Sequence, residues 1–258
     1  MNRATLIVLC ICLTFSLLCF LMLGLKLYFN NRQKNKDQHK IEEQNLQLLE
    51  ISEKINAQNK RNELLLKELH HRVKNNLQVI YSLLNLQKRR NDNEETKAIL
   101  SSVQNRIHTM SLVHQNLYLT GNFENADMNL YVNSIVQHLQ NLYIKDKKNI
   151  DINLSMNKPI LLVTEKAISV GLILNEAISN SFKYAFKNRT EGLISIQIKN
   201  SPTLFSLQIR DDGPGFENHA DNKNSLGMKL IRVMCDQLKA EYHLQTTNGV
   251  SHNIEFKI

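Results

Sequence analysis

The sequence predicts an α+β chain of several parts. In order, these are an N-terminal transmembrane helix, a helical coiled-coil linker, an antiparallel helical hairpin that dimerises into a four-helix bundle, and an α/β sandwich. Three observations support this order. The chain opens on a run without charged residues, its apolar residues then recur at helical spacing to about residue 118, and helical and strand-like patterns alternate beyond residue 121. Only 8 Gly and 3 Pro in 258 residues argue against an all-β fold with many tight turns.

The first predicted element is a transmembrane helix over residues 4–29. No charged residue occurs from Ala4 to Leu25, and a helix of that length reaches about 33 Å, enough for a bilayer core of about 30 Å. Basic residues follow the run and almost none precede it, which predicts that the C-terminal side is cytoplasmic. The alternative is a cleaved signal peptide, but the run is long for one and no A-x-A site ends it.

The second element, residues 37–68, is predicted to be a coiled-coil linker. A polar residue such as Asn62 in an a position of the seam would set the register of a parallel dimer. A single amphipathic helix is the alternative, and either form makes a stiff helical connection. The residues that repeat at intervals of seven are Ile41, Leu48, Ile55, Asn62 and Leu69.

The third element begins with a histidine-bearing helix. On a helical wheel, His71 lies opposite the apolar stripe and is predicted to face solvent, while His70 flanks the stripe and Asn75 lies one turn from His71. An exposed imidazole among Arg, Lys and Asn is a candidate nucleophile that can accept a phosphoryl group on nitrogen. Metal binding by the two histidines is less favoured, because neighbours in a helix do not share a face. The stripe consists of Leu69, Val73, Leu77, Ile80 and Leu84.

A second amphipathic helix is predicted from Glu94 to Tyr118, after a polar turn over Arg89–Asn93. The two helices form an antiparallel hairpin over residues 69–120. One hairpin cannot bury both of its apolar stripes, whereas two hairpins can do so as a dimeric four-helix bundle.

The last predicted part, residues 127–258, alternates helices with strands. The helices are expected near Leu130–Tyr143, Glu165–Phe186 and Ser225–Leu238. The strands are expected near Ile150–Met156, Leu193–Lys199, Phe205–Arg210, Tyr242–Gln245 and Ile254–Ile258.

Three motifs in this part suit a phosphorylated ligand with a flat base. Glu176, Asn180 and Lys183 lie on one helix face, where an amide oxygen suits Mg²⁺ and a Lys offsets phosphate charge. Asp211 begins an Asp-x-Gly-x-Gly segment, whose carboxylate can accept a hydrogen bond from an exocyclic amine. Gly227 opens a helix and offers backbone N–H groups to phosphate. Taken singly, the motifs could be a simple loop and a solvated helix face, but their order and spacing together are specific.

From about Leu65 to Ile258 the chain resembles bacterial sensor histidine kinases, whose ATP-binding domain is of the gyrase/Hsp90/histidine-kinase/MutL type. The stretch His-His-Arg-Val-Lys-Asn-Asn-Leu-Gln from His70 to Gln78 carries the resemblance in the hairpin, and Asn-Glu-x-x-x-Asn-x-x-Lys-Tyr carries it in the sandwich. The resemblance implies ATP and Mg²⁺ as ligands, and autophosphorylation of His71, with His70 as second choice. The other implied site residues are Asn75 and Glu176 for catalysis, Asn180 for Mg²⁺ and ATP, and Lys183, Tyr184, Asp211, Gly213, Gly215 and Gly227 for ATP.

The resemblance also implies partners and a location. These are a homodimer, a separate response regulator whose Asp accepts the phosphoryl group, and a single-pass anchor in the bacterial cytoplasmic membrane with the catalytic part in the cytoplasm. Two departures stand out. Arg72 follows the phosphoacceptor where most such kinases have an acidic base, and a related subfamily, marked by a His in the Asn-Glu-x-x-x-Asn motif and by a later Trp-x-Glu, does not fit, because the chain has Asn175 and Glu176 in that motif and no Trp.

Two rival functions are weighed against this one. A non-catalytic nucleotide-binding scaffold would have lost His71, Asn180 or Asp211, and an ATP hydrolase of the same superfamily would have no use for the histidine helix. The formal charge of +8 also raises nucleic acid as a partner. Residues 119–258 nevertheless carry fifteen basic and fourteen acidic residues, so the excess lies next to the anchor and in the hairpin. We therefore expect no nucleic-acid binding.

Overall fold

The computed structural model describes residues 3–120, 124–144, 149–157, 159–216 and 225–258, and among these the side chains of 3–6, 8–13 and 119–120 are left aside. The chain divides into two compact units, Met1–Asn62 and Glu63–Ile258. Each unit is described by itself.

The first unit is a single helical stretch, the beginning of α1 (Arg3–Arg90). Its side chains are exposed along the whole described length. No helix in the described ranges combines the length and the apolarity that crossing a membrane requires. Within the predicted span, the side chains of residues 4–6 and 8–13 lie outside the described residues. The coiled-coil register over residues 37–68 concerns a second chain and stays a prediction.

The second unit begins with the predicted helical hairpin. Helix α1 continues to Arg90, and α2 runs over Glu94–Thr120. The turn between them is short and polar. Asn93 caps α2, because its Oδ1 accepts a hydrogen bond of 2.9 Å from the backbone N–H of Thr96.

Over its described residues, the sandwich that follows consists of a five-stranded sheet, a two-stranded sheet and three α-helices. The large sheet has the order β2-β4-β5-β7-β6, with β2 and β4 parallel and all other neighbours antiparallel. Strands β1 and β3 form the small antiparallel sheet. The elements are β1 (Asn125–Asp127), α3 (Met128–Tyr143), β2 (Asn149–Met156), β3 (Leu161–Val163), α4 (Thr164–Asn180), β4 (Glu191–Asn200), β5 (Leu204–Asp211), α5 (Leu226–Leu238), β6 (Glu241–Gln245) and β7 (Ser251–Lys257).

One face of the large sheet is covered by helices, as the alternating strand patterns require. Strands β4, β5 and β7 each bury every second residue, and these residues meet apolar side chains of α3, α4 and α5 in one core. The predicted strands are confirmed with small shifts at their ends, whereas β1 and β3 were not predicted. At three residues each, they are too short to show a period of two.

The predicted long helix Glu165–Phe186 is wrong at its C-terminal end. Helix α4 ends at Asn180, and Ser181–Ala185 form a π-helical turn that the backbone N–H of Phe186 closes on the carbonyl of Ser181 at 3.0 Å. The Ser181 hydroxyl bonds the Asp211 carboxylate at 2.8 Å. A π-type turn is often found at a functional site, and this one lies beside the candidate nucleotide pocket.

Helix α2 and helix α4 run side by side in opposite directions. The backbone N–H of Thr164, at the start of α4, donates to the carbonyl of Glu124, just after the end of α2, at 3.1 Å. Midway, the Tyr131 hydroxyl donates to the Thr109 carbonyl at 3.1 Å and packs on Gly171. The end of the hairpin is thereby attached to the sandwich, and the C-terminal part of α4 faces the middle of α2.

Candidate active site

His71 is exposed, as the helical wheel predicts. Its Nδ1 lies 3.3 Å from Nδ2 of Asn75, one turn further along α1. Its ring centroid is 6.4 Å from that of Tyr118 near the end of α2. Arg72 forms an exposed ion pair of 2.7 Å with Glu68 on the same helix. The structure thus presents one imidazole of the pair to solvent beside an amide that can orient it.

His70 is buried and faces the inside of the hairpin. Only 6% of the residue is exposed, and its Nδ1 lies 2.9 Å from Nδ1 of His114 on α2. One ring must donate and the other accept in this contact. Burial, with a further contribution from His70, lowers the pKa of His114 to about 4. His70 therefore serves packing between the two hairpin helices, and His71 alone of the two is open to a reagent.

A cavity of about 250 Å³ opens between α4, the π-helical turn and the ends of β5 and β7. At its base the Asp211 carboxylate is 4% exposed. Its Oδ1 accepts from the backbone N–H groups of Gly213 at 3.0 Å and Val250 at 3.1 Å, and its Oδ2 accepts from Ser181. These bonds hold the carboxylate in one orientation, so that its remaining lone pairs can accept a hydrogen bond from an amine of a bound base. Other residues around the cavity are Asn180, Tyr184, Pro214, Gly215, Phe216, Met228 and His252.

Gly215 can be replaced by no other residue without strain. Its φ of 71° lies in the left-handed region, and a Cβ there would collide with the Thr246 carbonyl oxygen. The neighbouring Phe216 N–H donates to that same carbonyl at 3.1 Å. The glycine thus lets the loop after β5 close over the pocket. Residues 217–224, which follow this loop, lie outside the described residues.

At the other end of the cavity, α4 and the start of α5 meet. Ser225 caps α5 by accepting from the N–H of Met228 at 3.4 Å. A Cβ on Gly227 would lie 2.8 Å from Glu176 Oε2 and 3.6 Å from the Asn180 amide atoms. The free N-terminus of a helix attracts phosphate, and carboxylate and amide oxygens suit Mg²⁺. The donor set therefore fits a metal-bound phosphate group, with Asn180 as its amide ligand.

Lys183 and Tyr184 extend from the π-helical turn next to this end. Both are exposed, and Tyr184 also lines the cavity. Desolvation lowers the pKa of Lys183, whereas Glu176 raises it and Arg106 lowers it, so these three charges act on one another. Of the predicted residues, the cavity is lined by Asn180, Tyr184, Asp211 and Gly215. Gly227 lies next to Glu176 and Asn180, Gly213 lies next to Asp211, and Lys183 follows in the π-helical turn. His71 is not part of this group, because its ring lies beside Tyr118 near the C-terminal end of α2.

Arg106 belongs to this group, although the sequence analysis missed it. Its Nε and Nη2 donate to the two carboxylate oxygens of Glu176 at 2.9 and 2.8 Å. The hydrogen bond to Glu176 raises the pKa of Arg106. No local pattern indicated this contact, because Arg106 is 70 residues from Glu176 and lies on another predicted domain.

His252 is a second residue that the sequence did not indicate. It lies on the core side of β7, is 4% exposed and contributes to the wall of the cavity. Its Nδ1 is 2.9 Å from the Tyr242 hydroxyl. Burial lowers the pKa of His252 to about 4. The ring is therefore neutral at pH 7.

Acid is expected to destabilise the sandwich through His252. Because its pKa is lower in the folded chain than in the unfolded one, its contribution is complete at pH 7 and is lost as the pH falls from about 6.5 to about 4. We expect a loss of about 3 kcal/mol over that window, measured by urea unfolding at pH 7.0 and 4.0. His252→Gln should remove about that amount from the total loss, because His114 keeps its own contribution over the same window, and the exposed His39→Gln should leave the loss unchanged. An equal pH dependence in His252→Gln would contradict the assignment.

With the geometry established, comparison with known proteins identifies both halves of the second unit. The family described as histidine kinase matches residues 68–143, and the histidine kinase-like ATPase domain matches residues 154–251. The sensor histidine kinase PdtaS of Mycolicibacterium smegmatis is 27% identical over 175 residues, which are 66% of this chain and 34% of that protein. The blue-light-activated histidine kinase 2 of Erythrobacter litoralis is 25% identical over 71% of this chain and 53% of its own length.

The fold agrees with a solved structure as well. The histidine kinase domain of the Erythrobacter litoralis EL346 blue-light-activated histidine kinase superimposes with a TM-score of 0.56 at 22% identity, covering 75% of this chain and 93% of that one. The chain spans about a third of the length of the mycobacterial relatives that it matches. The two matched domains, in this order, show that the chain carries a histidine kinase domain followed by a histidine kinase-like ATPase domain, as the bacterial sensor histidine kinases that it resembles do.

Proposed function

We propose that this chain is an ATP-dependent protein histidine kinase that phosphorylates itself on His71. The observation that carries the proposal is the contrast between two adjacent histidines: His71 is exposed beside Asn75, whereas His70 is buried against His114. The nucleotide pocket with its oriented Asp211 carboxylate supplies the other reactant. In the reaction, a ring nitrogen of His71 forms a bond to the γ-phosphorus, and the bond between that phosphorus and the leaving ADP oxygen breaks.

Asn75 would position the nucleophile. Its side-chain Nδ2–H can donate to Nδ1 of His71, which orients the ring and leaves the proton of the neutral imidazole on Nε2. The observed separation of 3.3 Å fits such a contact. The exposed Arg72 offers no base at the position after His71, so the role of accepting or orienting a proton would fall to Glu176, on the ATPase side.

Each pocket residue would contact a different part of the nucleotide. Asp211 would accept from the adenine amine, while Gly213 and Gly215 give the loop its shape. Asn180 would hold Mg²⁺, which when bound neutralises phosphate charge, and Lys183 and Gly227 would contact phosphate. Catalysis of this kind consists mainly of positioning and charge neutralisation.

A homodimer would bring a His71 side chain close to the nucleotide pocket. Tyr118, the neighbour of His71, lies twelve residues beyond Arg106 on α2, which is about 18 Å along the helix axis from the contact with Glu176. Transfer therefore requires the hairpin of a second chain or a shift of this hairpin. A second hairpin would also cover apolar side chains that remain about half exposed here, namely Leu69, Val79, Ile80, Leu83, Leu86 and Ile99.

The chemistry of the phosphate bond tests the proposal. The purified full chain, incubated with γ-labelled ATP and Mg²⁺, should acquire label that is lost in acid and kept in alkali, as a phosphoramidate bond to histidine is. Denaturing the chain before adding ATP is the control for non-specific label. Label that is stable in acid, or a complete absence of label at saturating ATP, would contradict the proposal.

A separate response regulator would take the phosphoryl group from His71. The family signals in this way, and the exposure of His71 gives a second protein access to it. In the same experiment, a purified receiver domain added after removal of ATP should collect the label on an Asp. An Asp→Asn receiver serves as its control.

We also propose that the N-terminal helix anchors the chain in the bacterial cytoplasmic membrane, with the catalytic part on the cytoplasmic side. The charge-free run from Ala4 to Leu25 and the basic residues after it support this, as do large apolar side chains that are more than half exposed, such as Phe20 at 77%. The full chain should stay in the membrane pellet after alkaline carbonate extraction, and the chain without residues 1–36 should not. Recovery of the full chain in the supernatant would contradict the anchor.

A further inference from the structure

The contact between Arg106 and Glu176 joins the hairpin to the nucleotide site. Arg106 belongs to α2, and Glu176 lies on α4 within the ATPase domain. The side chains are 15% and 5% exposed, and both guanidinium-to-carboxylate distances are below 3.0 Å. A two-pronged, largely buried pair of this kind fixes both side chains.

The guanidinium lies next to the phosphate end of the pocket. Glu176 Oε2 is 2.8 Å from Arg106 Nη2 and 2.8 Å from the point where a Cβ on Gly227 would stand. Arg106 Nη2 is therefore within about 6 Å of the Cβ position of Gly227 at the N-terminus of α5, where backbone N–H groups can face phosphate. The influence of both Arg106 and Glu176 on the pKa of Lys183 places a second cation in the same group.

We propose that Arg106 is a further phosphate-binding residue of the nucleotide site, supplied by the hairpin rather than by the ATPase domain. This inference rests on the proposed function, since it takes the ligand to be a nucleoside triphosphate. When the triphosphate enters, the guanidinium moves from the Glu176 carboxylate to the terminal phosphate. A guanidinium matches a phosphate group with the same two-pronged geometry that it shows towards a carboxylate, and the terminal phosphate carries more negative charge.

The exchange has a consequence for Glu176. Both of its oxygens accept from Arg106 in the present arrangement, and Oε1 also accepts from Asn175, which leaves fewer lone pairs for a proton or a metal-bound water. Departure of the guanidinium frees it, while the Asn175 amide keeps its bond of 3.1 Å to Oε1. Binding of a triphosphate would thereby release Glu176 to accept or orient a proton, and Arg106 would connect the hairpin to the nucleotide.

Nucleotide affinity measured by calorimetry on the full chain tests this inference. The probes are ADP and the non-hydrolysable β,γ-imido analogue of ATP, each with Mg²⁺. Arg106→Gln should weaken the triphosphate analogue about tenfold, because one charge-assisted contact is lost, and should leave ADP within about twofold. Arg106→Lys, which keeps the charge but loses the fork, should fall between wild type and Arg106→Gln.

A matched control lies on the same helix. Lys97 forms an ion pair with Glu94 at 2.7 Å in which the Glu94 side chain is 84% exposed, so Lys97→Gln should change neither affinity. Equal weakening of both nucleotides in Arg106→Gln would show a purely structural pair, and unchanged or tighter binding of the triphosphate analogue would also overturn the inference. If Arg106→Gln does not fold, Arg106→Lys must by itself weaken binding of the triphosphate analogue more than binding of ADP. An equal effect on both affinities would then overturn the inference.

This experiment is independent of phosphoryl transfer. The difference between ADP and the triphosphate analogue should persist in a His71→Ala background, because neither probe transfers a group. A chain that retains the Arg106 effect but gains no label on histidine would contradict the proposed function and leave this inference standing. A chain that acquires label on His71 normally, but in which Arg106→Gln does not change the affinity for the triphosphate analogue, would contradict this inference and leave the proposed function standing.

Discussion

Replacing Asp211 by Asn is expected to weaken ATP binding about 10- to 100-fold while leaving the chain folded. An Asn oxygen in the Oδ1 position can still accept from Gly213 and Val250, and its amide nitrogen can donate to the Ser181 hydroxyl. That nitrogen would then face the amine of adenine, so a charge-assisted hydrogen bond is replaced by two opposed donors. Calorimetry with ADP and thermal unfolding of the same sample measure the two expectations.

A change of base provides the control for this variant. Hypoxanthine carries a carbonyl oxygen where adenine carries its amine, so IDP should bind wild type weakly and Asp211→Asn better. A reversal of the preference between ADP and IDP identifies Asp211 as the contact to the base. Undiminished ADP affinity in Asp211→Asn, or an equal loss for both nucleotides, would contradict that assignment.

Replacing His71 by Ala is expected to reduce autophosphorylation to the background of the reaction without enzyme. Without the imidazole the γ-phosphoryl group has no acceptor, and His70 cannot substitute because it is turned into the hairpin against His114. The measurement is acid-labile label per chain after incubation with γ-labelled ATP. Nucleotide affinity should be unchanged, because His71 lies on the hairpin and not in the nucleotide cavity.

His70→Ala is the matched variant one residue away. It removes the contact with His114 and a buried ring, so it should lower the free energy of unfolding by about 1 kcal/mol or more through the lost hydrogen bond. Label should nevertheless appear on this variant at a temperature where it is folded. Label retained in His71→Ala and lost in His70→Ala would reverse the roles that we assign to the two histidines.

Periodicity predicted much of this arrangement. The angle of His71 to the stripe of Leu69 and Val73 depends only on 100° per residue, and its exposure is confirmed. The strands β4, β5 and β7 show in the sequence because they bury one face, and alternation of side chains then follows from the pleat. Local spacing also predicted that Glu176 and Asn180 lie near one end of α4, with Lys183 in the π-helical turn that follows.

The remaining features depend on contacts between distant segments. Arg106 meets Glu176 only because α2 and α4 lie antiparallel in a particular register, which involves Tyr131 and Gly171. His252 lies before the predicted strand Ile254–Ile258, so the sequence pattern did not place it on β7. The π-helical turn after Asn180 has no pattern of its own, since its irregular backbone accompanies a bond between Ser181 and Asp211. Tertiary contacts of this kind have no period along the chain.

The site of phosphorylation in the wild-type chain tests the central claim most directly. The full chain is incubated with ATP and Mg²⁺, digested at neutral to alkaline pH so that phosphohistidine survives, and its peptides are sequenced by mass spectrometry. We predict one phosphorylated residue, His71, with none on the neighbouring His70 or on His114. Phosphate on either of those two histidines, or on a Ser, Thr or Tyr in place of His71, would contradict the account.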